Sequence, residues 1–238
     1  MSNYLPLYAA MSVLMVDAVI EVAFVGSMVG FLHDRAGEFF NINAPDGAFD
    51  LHGKPVGLLA DQGHTSNGAA GTALVLVGWL GLLTIWYEKR RAKKTQATSH
   101  SGIFIFWVVM TVLSAMLTLA ALIYTFVLTA QTNDQSIDLT VAAANPEPLM
   151  YPLDKWTPEN WFVAVLALPL AQDSDRSKIR NNLRLMRGWR WNLIPLFILG
   201  LVVASLAVWE LVAGRGRRSR RQADSKEKFR ESTQSQNY

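Results

Sequence analysis

The stretch that decides the fold covers residues 7–31 and reads LYAAMSVLMVDAVIEVAFVGSMVGF. As an α-helix, which rises 1.5 Å per residue, it would be about 38 Å long. That length exceeds the roughly 30 Å of hydrocarbon in a bilayer. Two acids, Asp17 and Glu21, interrupt an otherwise apolar segment near its middle. We therefore expect a retained first membrane span that carries two carboxyl groups.

Three further apolar stretches have the length of a membrane crossing, at residues 69–87, 103–130 and 193–213. The chain is 51% hydrophobic and 17% charged, and the apolar residues are gathered in these blocks. Tyrosine and tryptophan lie near the block ends, as is typical of interfacial belts. The sequence predicts an all-α membrane protein, a four-transmembrane-helix bundle with two extracellular segments, of which the second is partly helical.

Basic residues give the expected orientation. They cluster between spans two and three and again after span four, and positively charged short segments stay in the cytoplasm. We expect a membrane domain over residues 1–214 and a disordered basic tail over 215–238, with both termini cytoplasmic. Each basic residue near anionic inner-leaflet lipid contributes about 1 kcal/mol of attraction, so this charge indicates membrane contact rather than nucleic acid. The two clusters are Lys89, Arg90, Arg91, Lys93 and Lys94, and Arg215, Arg217, Arg218, Arg220 and Arg221.

The segments between spans also carry local signals. Turn residues predict a short hairpin around residues 48–59. Thr157 followed by Pro158 is typical of a helix N-cap, with a helix ending near Leu168. A second helix starting at Asp173 or Ser174 has the pattern of one lying along a membrane interface. Residues 161–171 are too short for a fifth crossing, and Pro169 interrupts them.

The acid pair is the strongest functional signal. Asp17 and Glu21 are four residues apart and share one helix face, and no basic residue lies within a span. A central acid costs about 2.5 to 3.5 kcal/mol on insertion. Hydroxyl groups at Thr111, Ser114 and Thr118 form a seam on span three. This pattern predicts either a cation or proton site between spans one and three, or ordinary interhelical hydrogen bonding.

Two other patterns indicate contacts rather than chemistry. Gly26 and Gly30 form a GxxxG pair on the other side of span one, typical of close helix packing. A tryptophan and arginine cluster outside the spans predicts interfacial anchoring or a partner or lipid surface. Its members are Trp156, Trp161, Arg187, Trp189, Arg190 and Trp191.

No catalytic residues, metal ligands or cofactor are predicted. The absence of cysteine excludes disulfides, thiolate metal sites and cysteine nucleophiles. His33, His52 and His64 lie in or beside the first extracellular segment without the spacing of a metal motif.

The layout of four spans, inward termini, a short basic cytoplasmic link and two outer segments resembles that of the claudin-like and fungal cortical-patch tetraspan membrane proteins. This resemblance implies a plasma-membrane location. The Trp-Gly-Leu-Trp and paired-cysteine signature of the claudins is absent here, so no functional residue is carried over. The favoured hypothesis is a non-enzymatic protein that works by self-association or as an accessory subunit of a membrane complex. The alternatives are a cation channel or transporter that uses Asp17 and Glu21, and a membrane enzyme acting on a hydrophobic substrate.

Overall fold

The computed structural model describes residues 4–34, 38–55, 57–95, 99–144 and 156–235. Within them the chain is mostly helical, with one short hairpin. In chain order the elements are α1 (Leu5–Asp34), β1 (Phe39–Ala44), β2 (Gly47–His52), α2 (Asp61–Thr72), a π-helical segment (Ala73–Trp79), α3 (Leu80–Thr95), α4 (Gly102–Gln131), α5 (Leu139–Ala144), α6 (Pro158–Leu166) and α7 (Asp173–Ser235).

Four helices are long and apolar enough to cross a membrane, which confirms the four long helices expected from the sequence. They are Leu5–Asp34, Asp61–Lys94, Gly102–Gln131 and Asp173–Gly214. The second continues unbroken through α2, the π-helical segment and α3, so it begins eight residues before the apolar stretch starts at residue 69. Hydropathy marks the apolar part of a helix, whereas hydrogen bonding continues into its polar ends.

The chain divides into two compact units. Unit 1 consists of Met1–Val16, Thr72–Met116 and Ile198–Tyr238, and unit 2 of Asp17–Gly71 and Leu117–Phe197. Unit 1 therefore contains both chain ends and the basic link. Its contacts fit this grouping, because the Lys89 ammonium lies 4.4 Å from the ring centre of Tyr8, near the start of α1.

Small residues allow close packing around the π-helical segment in unit 1. A Cβ on Gly81 would lie 2.8 Å from the Trp107 ring, and one on Gly78 would lie 2.8 Å from Met15 Sδ. The fully buried Trp107 donates its indole hydrogen to the Val77 carbonyl at 3.2 Å. The π-helical turn thus presents a carbonyl that a side chain of α4 binds.

The hairpin in unit 2 begins earlier than predicted. Its strands pair antiparallel, from Phe39 opposite His52 to Ala44 opposite Gly47, so only residues 48–52 of its second strand fall within the predicted range 48–59. The turn of the hairpin is Pro45-Asp46, and Gly47, the first residue of β2, adopts a φ of 131° that favours glycine.

The two connecting segments of unit 2 share one core. Phe40 and Leu51 of the hairpin are buried with Trp161 and Phe162 of α6. The backbone links them as well, because Asn43 N donates to the Pro169 carbonyl at 2.9 Å. The predicted cap of α6 is confirmed, since the Thr157 hydroxyl accepts from the backbone N–H of Asn160 and Pro158 follows it.

Helix α7 differs from expectation. It begins at Asp173 as predicted, but it continues without a break to Ser235, with Pro195 inside it. Ile179, Leu183 and Met186 are buried in the core of unit 2, so this face packs on protein rather than lying free along an interface. The backbone of the tail is helical to Ser235, where disorder was expected. Its Arg, Lys, Glu and Gln residues are good helix formers, and no proline interrupts them.

Candidate functional site

The acid pair on α1 is enclosed, and its hydrogen bonding is incomplete. Glu21 is fully buried, and its Oε2 accepts a hydrogen bond from Asn192 Nδ2 of α7 at 3.1 Å. Its Oε1 is buried without a partner among the described residues, as is Oδ2 of the half-buried Asp17. Within the same part of the chain no basic side chain forms an ion pair with either acid. Buried polar groups are nearly always hydrogen-bonded, so these oxygens are exceptional.

A close approach of α1 and α7 in unit 2 makes the Asn192 contact possible. A Cβ on Gly188 would lie 3.1 Å from the Phe24 ring, so the absence of a side chain lets the helices come together. Asn192 lies one helical turn after Gly188 and meets Glu21, nearly one turn before Phe24. Sequence reasoning missed Asn192, although a polar residue beside the fourth apolar stretch was a visible signal.

The hydroxyl seam of α4 is buried, and hydrogen-bond partners are identified for two of its hydroxyls. Thr111, Ser114 and Thr118 are all buried. The Ser114 hydroxyl lies 3.2 Å from that of Thr72, and the Thr111 hydroxyl donates to the Trp107 carbonyl of its own helix. The contact of Ser114 is the interhelical hydrogen bonding that the sequence left open as one of two interpretations.

The tryptophan and arginine cluster is largely core, so a partner or lipid surface made of all its members is wrong. Trp156, Trp161 and Trp189 are between 0 and 2% exposed. In a segment without disulfides, such large apolar side chains contribute the most buried area to the core. Arg187 and Arg190 both pair with the buried Glu159, at 3.2 and 3.3 Å, and Trp191 is 55% exposed.

The glycine pair of α1 has open space beside it in the part of the chain that the structure describes. Gly26 and Gly30 are both exposed, and a Cβ on either would meet nothing within 4 Å. Their packing role within this chain is therefore not observed.

A cavity of about 330 Å³ lies in unit 2, between the last turns of α1, the loop before α2 and the first turns of α2. Its lining includes His33 and His64, which the sequence considered only as metal ligands. Lys54 and the buried Gln62 also line it. Sequence periodicity gave no signal for this site, because the cavity depends on how a loop folds over a helix.

A histidine network in unit 1 was also unforeseen. His100 Nδ1 lies 3.4 Å from Glu88 Oε2, and its Nε2 lies 3.1 Å from the backbone carbonyl of Glu210. The His100 ring stacks on Phe104 with centroids 4.2 Å apart. Gly214 is close to the same ring, where a side chain would collide with it. This network connects α3, the start of α4 and α7.

No group of three or more His, Cys, Asp or Glu residues that could hold a metal ion occurs in the described ranges. No family model matches the chain, and neither a curated protein nor a solved structure matches it.

Proposed function

We propose that this chain is a four-span integral membrane protein whose Asp17 and Glu21 take up and release a proton as part of proton-linked transport. One observation carries the proposal: Glu21 is fully buried on an apolar helix, and one of its carboxyl oxygens has no partner among the described residues. Ionisable residues within membrane helices are costly and typically mark ion or proton pathways.

The surface of the long helices supports membrane insertion. On α1 the side chains of Val13, Val16 and Val19 are more than half exposed. Soluble monomers rarely expose large contiguous apolar patches, whereas lipid contacts them favourably. We place the basic end of unit 1 in the cytoplasm by the positive-inside rule, and we retain the plasma membrane as the expected location from the resemblance in layout.

A proton fits the acid pair better than Ca²⁺ or Mg²⁺ does. Calcium takes six to eight oxygen ligands, and magnesium requires a nearly octahedral set. Here two carboxyls and the amide of Asn192 are the polar groups identified around the site. A proton needs a single oxygen, and it removes the charge whose burial in an apolar surrounding is expensive.

The test uses the full chain in liposomes that contain a pH-sensitive dye. A potassium gradient with valinomycin drives proton entry, and wild-type protein is compared with Glu21→Gln and with Asp17→Asn/Glu21→Gln. We expect both variants to reduce proton flux by about 100-fold or more, the effect typical of losing a proton-transfer group. Asp46→Asn serves as the matched control, because Asp46 is an exposed turn residue whose replacement should change nothing.

Infrared difference spectra between acidic and alkaline buffer give a second readout that needs no transported partner. The carbonyl band of a protonated carboxylic acid should appear in wild-type protein and disappear in Glu21→Gln. Equal flux in all variants together with an unchanged infrared band would refute the proposal.

Self-association is a second candidate, which the exposed glycine pair favours. Gly26 and Gly30 leave open space on α1, and small residues four apart let a second helix approach closely. Native mass measurement after detergent extraction should show a dimer or larger assembly that Gly26→Leu/Gly30→Leu dissociates. A wild-type sample that is entirely monomeric would contradict self-association through the Gly26 and Gly30 face of α1.

A further inference from the structure

We infer that the cavity between α1 and α2 binds one chain of an anionic amphiphile of the long-chain carboxylate class. The alkyl chain of the ligand lies against α1, and its head group lies beside Lys54. This site is separate from Asp17 and Glu21, and the inference does not rest on proton transport.

The α1 side of the cavity suits a hydrocarbon chain. Its lining side chains recur at the spacing of one helix face, so they form a continuous apolar stripe. At about 30 Å³ for each water-sized group, a volume of 330 Å³ holds about eleven methylene-sized groups. This space takes most of one long alkyl chain, whose remaining carbons extend past the partly exposed Val29, and it is too small for both chains of a lipid. The stripe consists of Val25, Met28, Val29 and Leu32.

A buried amide marks the polar part of the cavity. Gln62 is 1% exposed, and its Oε1 has no partner among the described residues. An unpaired buried amide group costs about 1 to 3 kcal/mol, which a ligand bound beside it would recover. A glutamine amide can turn over to present either its oxygen or its NH₂ group. A carboxylate only accepts hydrogen bonds, so Gln62 binds it with the amide turned over and its NH₂ group donating.

The charge of the lining favours a negative head group. Lys54 contributes a cation, and the first turn of α2, which begins at Asp61, lines the cavity through Gln62, Gly63 and His64. The N-terminal end of a helix dipole favours anions. No Asp or Glu belongs to the described cavity lining, and the side chain of the adjacent Asp61 is exposed.

A ligand can reach this cavity from outside. Val29 of the apolar stripe is 39% exposed, and His64 at the polar end is exposed as well. In the orientation that we propose, this end of α1 lies in the outer leaflet. An amphiphile can then enter from the bilayer with its head already at the membrane surface.

The experiment uses the full-length protein in nanodiscs of phosphatidylcholine and a palmitate probe with a photoreactive diazirine in its chain. Labelled peptides are identified by mass spectrometry. We expect labelling at the end of α1 and the start of α2, competed by unlabelled palmitate but only weakly by hexadecanol. Labelling spread evenly over the exposed faces of all four long helices would overturn the inference, as would equal competition by hexadecanol.

Two matched variants test the position of the chain. Val29→Trp fills the cavity and should reduce labelling by about tenfold, which corresponds to a loss of about 1.4 kcal/mol in binding free energy. Val19→Trp introduces the same side chain on the same helix, at an exposed position outside the cavity, and should leave labelling unchanged. If Val29→Trp fails to fold by circular dichroism, Ala60→Trp at the exposed edge of the cavity replaces it. Equal labelling of the folded cavity-filling variant and the Val19→Trp protein overturns the inference.

The head group is tested by Lys54→Gln. This variant should lower the preference for palmitate over hexadecanol by about fivefold, a modest factor because Lys54 is partly exposed and its interactions are screened. Glu21→Gln should keep full labelling, so that failure of the proton proposal and failure of this inference are distinguishable. An unchanged preference in Lys54→Gln would overturn the assignment of the head group to Lys54.

Discussion

Replacing Glu21 by leucine should separate its cost to stability from its role in transport. The carboxyl group makes one hydrogen bond, to Asn192 at 3.1 Å, and buries a second oxygen without a described partner. Hydrogen bonds between membrane helices average about 0.6 kcal/mol, whereas an unpaired buried polar group costs about 1 to 3 kcal/mol. The second quantity is larger, so we expect Glu21→Leu to raise the free energy of unfolding by about 1 kcal/mol while it abolishes proton flux.

Replacing Asn192, the hydrogen-bond partner of Glu21, should have the opposite effect on stability. Asn192→Leu removes the donor to Glu21 Oε2, so that neither carboxyl oxygen has a described partner, and it should lower the free energy of unfolding by about 1 to 2 kcal/mol. Glu21→Leu/Asn192→Leu removes both polar groups and should be the most stable of the set, because replacing both partners by apolar groups is nearly neutral or stabilising. These three variants form a double-mutant cycle. The difference between the stability change of the double variant and the sum of the two single changes measures the coupling between the two side chains.

The assay is reversible unfolding in mixed micelles at increasing SDS fraction, followed by circular dichroism. Ser27→Leu is the control, because Ser27 lies on the exposed face of α1 and its replacement should stay within about 0.5 kcal/mol of wild type. If Glu21→Leu destabilises the protein by more than about 1 kcal/mol, the carboxyl is a structural element and the argument from its unpaired oxygen is refuted.

Two further predictions concern packing and charge. Gly81→Ala should destabilise the protein by about 1 to 3 kcal/mol, because its Cβ would lie 2.8 Å from Trp107. Gly68→Ala on the same continuous helix, with no neighbour within 4 Å of its Cβ, should stabilise by about 0.5 to 1 kcal/mol, and equal SDS midpoints for the two variants would contradict both expectations. Glu159→Gln should lower stability by about 2 kcal/mol, less than for a fully buried pair, because Arg190 loses its carboxylate partner at 3.3 Å. Tryptophan fluorescence during thermal unfolding measures this loss, and an unchanged midpoint would show that the pair adds no stability.

Several elements followed from local sequence because their causes are local. The cap at Thr157 depends on a hydroxyl, a proline and the next helical turn, all within a few residues. The start of α7 at Asp173 has the same kind of local signal. The hairpin was predicted too late in the chain because turn residues occur both at 43–47 and at 52–55. Only the pairing of Phe40 with Leu51 and the burial of both side chains decide its register.

Less of the candidate site than of the fold could be predicted from the sequence. Asp17 and Glu21 were identified because a charge within an apolar block is conspicuous at any position. The hydroxyls of span three were one of two interpretations for their surroundings, and the donor that the structure identifies for Glu21 is Asn192 of α7. The tryptophans at 156, 161 and 189 were interpreted as surface residues, because composition alone cannot distinguish an aromatic anchor from an aromatic core.

The sequence by itself determined the four long helices and the acids on the first of them. Whether a segment can cross hydrocarbon depends on about 20 consecutive residues, and that information lies entirely within the segment. Tertiary structure alone decided that Asn192 meets Glu21 across 171 residues of chain, and that Gln62 faces a cavity beside α1. Such contacts form wherever helices pack closely enough for two polar groups to meet, and packing depends on side-chain shapes from the whole unit.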